Sequence, residues 1–156
     1  MSPNAHSVIP ALLETHEKIV LASWMENQIA AGSLRSGQIK ENELKSQSQS
    51  FLRELVQALK SGEMDDPSGA AWSSARELLG DFSRSRAVQG FSPSQTATFV
   101  FSLKEPLFTL LREEIKNDAG KLAEEMWTAT TLLDKLGLYT AEVFQQSRDD
   151  IIKRQS

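Results

Sequence analysis

A chain of 156 residues with 40% hydrophobic and 24% charged residues is long enough to enclose one core and too apolar for the disorder signature. The lack of any cysteine excludes a disulfide framework, thiolate zinc sites and thiol catalysis, and suits a reducing, cytoplasmic home. A net charge of -4 with a pI near 5.3 argues against nucleic acid as a partner. Residues 1–6 lack a leader pattern, and no stretch approaches the roughly 18 apolar residues of a membrane span.

Ile9, Leu12, Leu13, His16, Val20 and Trp24 follow three-and-four spacing, which predicts a helix from about Pro10 to Ala31, stopped by Gly32. Leu44, Phe51, Leu52, Leu55 and Leu59 repeat the pattern and predict a second helix ending at Gly62. The segment from Glu63 through Asp65, Asp66, Pro67 and Ser68 to Gly69 reads as a loop, since each residue type favours a turn. Trp72, Ala75, Leu79 and Phe82 mark a third helix, interrupted by Gly80 and ending near Gly90. Ser92, Pro93 and Gln95 form a capping-box signal for a fourth, whose buried face is Phe99, Leu103, Leu107, Leu110 and Leu111. Pro106 cannot donate to Ser102, so a kink or break is expected near Lys104.

From Asp118 to Arg154 there is no proline, and Leu122, Met126, Ala129, Leu133, Leu136, Thr140 and Val143 alternate steps of four and three. This heptad-like seam predicts one long terminal helix with an edge that needs a partner surface, which a two-fold neighbour supplies. At about 1.5 Å per residue it spans roughly 50 Å and outreaches a domain of this size. Gly137 interrupts it, as a pliable point or a close crossing of two helices. No segment alternates with period two.

Chemical motifs are missing. His6 and His16 are too far apart for a helical zinc pair, the glycines are too scattered for a phosphate loop, and the pairs Asp65-Asp66 and Asp149-Asp150 have no nucleophile beside them. Neither an enzyme, a metal site nor a bound cofactor is expected. His16 reads either as a haem ligand or pH sensor or as a hydrogen-bonded boundary histidine. Arg84 and Arg86 suit an anion or the negative end of the third helix. Trp72, Phe82, Phe99, Phe101, Phe108 and Trp127 form either an apolar pocket, with Trp72, Phe82, Phe99 and Trp127 as its candidate lining, or plain core.

The stretch Phe82-Ser83-Arg84-Ser85-Arg86-Ala87-Val88-Gln89-Gly90-Phe91-Ser92-Pro93-Ser94-Gln95-Thr96, then Phe99 to Lys104, resembles the N-terminal domain of the Rsb co-antagonist family (RsbR/RsbRD). So does the end, Arg148 to Gln155, which is similar to that family's linker helix into a STAS domain. The resemblance implies an all-α, globin-like bundle of five to six helices without haem, with a long C-terminal signalling helix. Residues 1–156 are then one sensor domain and 118–156 the terminal helix. It further implies a stressosome-type stress-response role as a homodimer, with Leu122, Met126, Ala129, Leu133, Leu136 and Val143 on the dimer and relay helix. A downstream STAS or kinase output domain in the same chain is expected, because the sequence stops in mid-helix. The competing reading is a small-ligand or haem-binding globin-type sensor, in which His16 is the available ligand.

Overall fold

The computed structural model describes residues 7–34, 37, 39–61, 64 and 66–155. His6, Gly62, Glu63 and Asp65, named above, lie outside them. The described residues form an all-α bundle with no strand: α1 (Ile9–Thr15), α2 (Glu17–Ala30), α3 (Glu41–Lys60), a 3-10 turn (Ala70–Trp72), α4 (Ser73–Gln89), α5 (Pro93–Phe101), α6 (Lys104–Glu114) and α7 (Ala119–Gln155).

The first expected helix is two. His16 leaves the helical region (φ -109, ψ 26), yet its N–H still reaches Leu12 O and its carbonyl still accepts from Val20 N. The axis therefore bends rather than ends. α2 closes as the glycine signal implies: Gly32 has φ 97, its N–H donates to Ile29 O, and Ser33 N donates to Gln28 O. That pair of bonds satisfies carbonyls that a helix end otherwise orphans. Gly90, with φ 88, ends α4 with the same reach of Phe91 N to Arg86 O.

The capping box is present in full: Ser92 Oγ accepts from Gln95 N at 3.1 Å and Gln95 Oε1 accepts from Ser92 N at 2.7 Å. The chain breaks between Phe101 and Lys104, where Pro106 demands it. Asn27 Nδ2 donates to the Ser102 carbonyl at 3.3 Å, the acceptor that Pro106 cannot serve. Trp24 Nε1 secures the same corner through Phe99 O at 2.9 Å and Ser102 Oγ at 3.1 Å. Trp24 is fully buried, with the Phe51 and Phe99 rings 6.0 and 5.0 Å away. An aromatic cluster built this way contributes area burial plus about 0.5–1.5 kcal/mol per well-placed ring pair.

α1 to α4 pack on one another, with α3 contacting α1, α2 and α4, and the broad flank of α7 rests mainly on α4 and α5 and less on α6. Asp118 Oδ1 accepts from Lys121 N at 3.0 Å and so starts α7. The helix then runs 37 residues without a break.

Candidate functional site

α7 has two faces that differ in what covers them. On the inner face Ala129, Leu133 and Leu136 belong to the hydrophobic core, Val143 is buried, and Leu122 and Met126 are half-buried against the same core. Thr140 is buried with them and donates Oγ1 to Gly137 O at 2.6 Å. The seam expected to meet a twin is thus laid on the chain's own α4, α5 and α6. Periodicity identified an edge that must be covered, and the nearest apolar surface is intramolecular.

Gly137 marks the tightest point of that contact. A Cβ at this position would overlap the Phe101 ring, so only glycine lets the end of α5 approach so closely. Lys104 Nζ lies 5.0 Å from the centre of the same ring and pairs with Asp134, one turn before Gly137. Of the two readings of Gly137, the close crossing is the one the structure contains. Ser7 Oγ adds a second tie to this helix, donating to the buried Glu125 carboxylate at 2.6 Å.

On the outer face Trp127, Leu138 and Ile152 are 72%, 62% and 56% exposed. At about 3.6 residues per turn, Leu138 lies about three turns beyond Trp127, and Ile152 about four turns further, so the three share one stripe. Ala123 and Ala141 fall on the same stripe and leave it shallow. Beyond Phe144, among the described residues, only Ser147 and Ile151 are even half-covered.

The expected aromatic pocket is not assembled as a pocket. Trp72 and Phe99 are buried, Phe82 packs its ring 5.8 Å from that of Phe99, and Phe99 fills the centre of the cluster around Trp24. Trp127 points away from them, because it occupies the face of α7 opposite Ala129. Arg84 pairs with Asp81 at 2.6 Å. Arg86 is 2% exposed, lying 4.6 Å over Phe99 and 5.6 Å over Phe91, with Nη2 donating to Gln47 Oε1 at 3.2 Å. It stands in the last turn of α4, at the helix's negative end, and does not face solvent. Burial lowers its pKa to about 10, against a smaller opposing pull from Glu43. His16 is half-buried, its Nε2 3.5 Å from Glu114 Oε1.

A cavity of about 350 Å³ opens between the loop before α4 and the middle of α7, lined by Asp66, Pro67, Ser68, Arg76, Lys135, Leu136 and Tyr139. Sequence reasoning missed it. Lys135 and Tyr139 flank Leu136 at one-turn spacing, but Arg76 is some sixty residues away, and no local pattern joins them. Among the described residues no group of His, Asp and Glu is placed to hold a metal ion, and no helix is long and apolar enough to cross a membrane.

No curated protein and no solved structure matches the chain. A family model does, over residues 19–156, that of the RsbT co-antagonist protein rsbRD N-terminal domain. The match takes in α2 from its third residue through to α7 and includes both stretches that carried the resemblance, and on it the chain belongs to the RsbT co-antagonist protein rsbRD N-terminal domain family.

Proposed function

We propose that this chain is a non-enzymatic, cytoplasmic sensor and dimerisation module of a stress-signalling regulator, passing its state through α7 to a downstream STAS or kinase domain of the same protein. The observation that carries this reading is the division of α7 along its length. Up to Phe144 the helix is part of the core, and the following turns continue the same rigid element with little cover. A displacement imposed by the bundle on the first part is delivered to the second, since an unbroken helix moves as one body. Family membership supplies the class of regulator.

The dimer in this proposal uses the outer stripe. With the seam occupied by the chain's own helices, Trp127, Leu138 and Ile152 form the apolar line on α7 that a second α7 covers, and Ala123 and Ala141 permit close approach. A stressosome-type assembly then builds on such pairs.

The test is phase. In the full-length protein with its output domain, one alanine inserted after Gln146 turns everything downstream by about 100°, whereas seven residues nearly restore the phase. The expected result is an output altered by the single insertion and recovered by the seven-residue one. An output indifferent to both would remove the relay. Mass in solution checks the dimer: a monomer for the unmutated chain, or a dimer that survives Leu138→Glu, would remove it.

A further inference from the structure

We propose that the buried guanidinium of Arg86, reached past Phe91 at the turn between α4 and α5, binds a small planar monovalent oxyanion of the formate, nitrate or bicarbonate class.

Arg86 is a buried cation whose hydrogen-bond partner is neutral. It is 2% exposed, and its Nη2 donates to Gln47 Oε1 at 3.2 Å. Burial brings its pKa down only to about 10, so the group keeps its charge at neutral pH. α3, α4, α5 and the turn between the last two are described in full, and no carboxylate on them lies within ion-pair distance of it. Glu43, exposed on α3, contributes a weaker field from further off. The Phe99 and Phe91 rings, 4.6 and 5.6 Å from Cζ, attract the cation through their faces without supplying a negative charge. A buried charge is costly unless an opposite charge reaches it with hydrogen bonds.

The remaining donors set the shape of the ligand. Nε is buried and donates to nothing among the described residues, and Nη2 has a second hydrogen beyond the one given to Gln47. Such N–H groups lie side by side in the plane of a guanidinium and match two oxygens of a planar anion. Ser83 stands one turn earlier on the same face of α4, wholly buried, and its hydroxyl also has no partner among the described residues. It supplies a third hydrogen. A halide offers one atom where the fork presents two hydrogens, and a single negative charge matches the single cation.

Phe91 links this group to the surface. With Gly32, Ser33 and Thr98 it lines a cavity of about 240 Å³, and its ring is one of the two against the guanidinium. It belongs to the short turn from Gly90, at φ 88, to the cap residue Ser92, so rotation of the ring opens the cavity toward Arg86 without breaking a helix. α5, which begins at this turn, ends at the Phe101 ring that meets Gly137 of α7. That occupancy is the signal passed onward rests on the sensor reading above. Binding itself does not, and the two fail separately.

The experiment is a titration of the intact chain, followed through the Nε–H resonance of Arg86 in proton–nitrogen correlation spectra and assigned by its loss in Arg86→Lys. Sodium formate, nitrate and bicarbonate are added at fixed pH, beside chloride at the same ionic strength. A saturable one-to-one shift is expected with the oxyanions and a much smaller one with chloride. Ser83→Ala removes a donor to the anion and no hydrogen bond among the described residues, so it keeps the fold and is expected to weaken binding about tenfold. Arg86→Met puts an apolar chain in place of the cation. Its melting curve shows that it folds, and the rise in melting point that formate gives the unmutated chain is expected to vanish. An Arg86 resonance indifferent to all three oxyanions, as when buried water alone serves Nε, chloride acting as strongly as formate, or an unchanged affinity in Ser83→Ala would each overturn the proposal.

Discussion

The inner and outer faces of α7 are made of similar residues and do different things. Leu133 and Leu138 are the same side chain about 140° apart around the helix; one is wholly buried and the other 62% exposed. Composition does not separate them, and phase against the rest of the bundle does. The inner face is held by packing, by the Gly137 contact and by the Ser7–Glu125 and Lys104–Asp134 ties, whereas on the outer face Trp127, Leu138 and Ile152 stay mostly exposed.

Truncation probes this contrast most strongly. Leu133→Ala removes a buried side chain from the core and is expected to cost about 2–5 kcal/mol in urea unfolding. Leu138→Ala, measured where only monomer is present, is expected to change stability by less than about 0.5 kcal/mol. Equal effects at the two positions would abolish the distinction.

Gly137→Ala is expected next. The new methyl drives the Phe101 ring aside at a cost of about 1–3 kcal/mol, partly offset by the better helix propensity of alanine, worth up to about 1 kcal/mol. The net loss of about 1–2 kcal/mol should shrink on a Phe101→Ala background, because the ring is what the methyl meets. Additive effects of the two changes would show that the contact is not where the strain arises.

The smallest effect is optical. Trp24 and Trp72 are fully buried and Trp127 is 72% exposed, so iodide should quench one component of the fluorescence, and Trp127→Phe should remove that component while shifting the melting point little. If the outer stripe pairs, the component becomes shielded as protein concentration rises.

Much of this was legible beforehand because its causes are local. A capping box, a proline that cannot donate, and glycines able to take positive φ announce themselves within a few residues, and Ser92, Pro106, Gly32 and Gly90 each behave as their chemistry requires. The bend at His16 was not legible, since its neighbours are ordinary helix formers. The seam from Leu122 to Val143 reads in the sequence as a surface for a two-fold neighbour and lies instead on α4, α5 and α6, because a repeat says that something lies against it and not what. Residue type alone puts Trp127 in an apolar pocket or the core. Its phase, nearly opposite Ala129, already placed it outside. The cavity depends on a meeting of Arg76 with Lys135 and Tyr139 that only the folded chain arranges, and Arg86 acquires its aromatic surroundings in the same way.

The close fit of Phe101 against Gly137 has one mechanical corollary. Sliding α7 along its own axis by a helical turn, about 5.4 Å, would bring a residue with a side chain opposite the ring, where there is space for none. Piston strokes are thereby forbidden to this helix, and whatever the bundle transmits must travel as tilt or twist about a single toothed bearing.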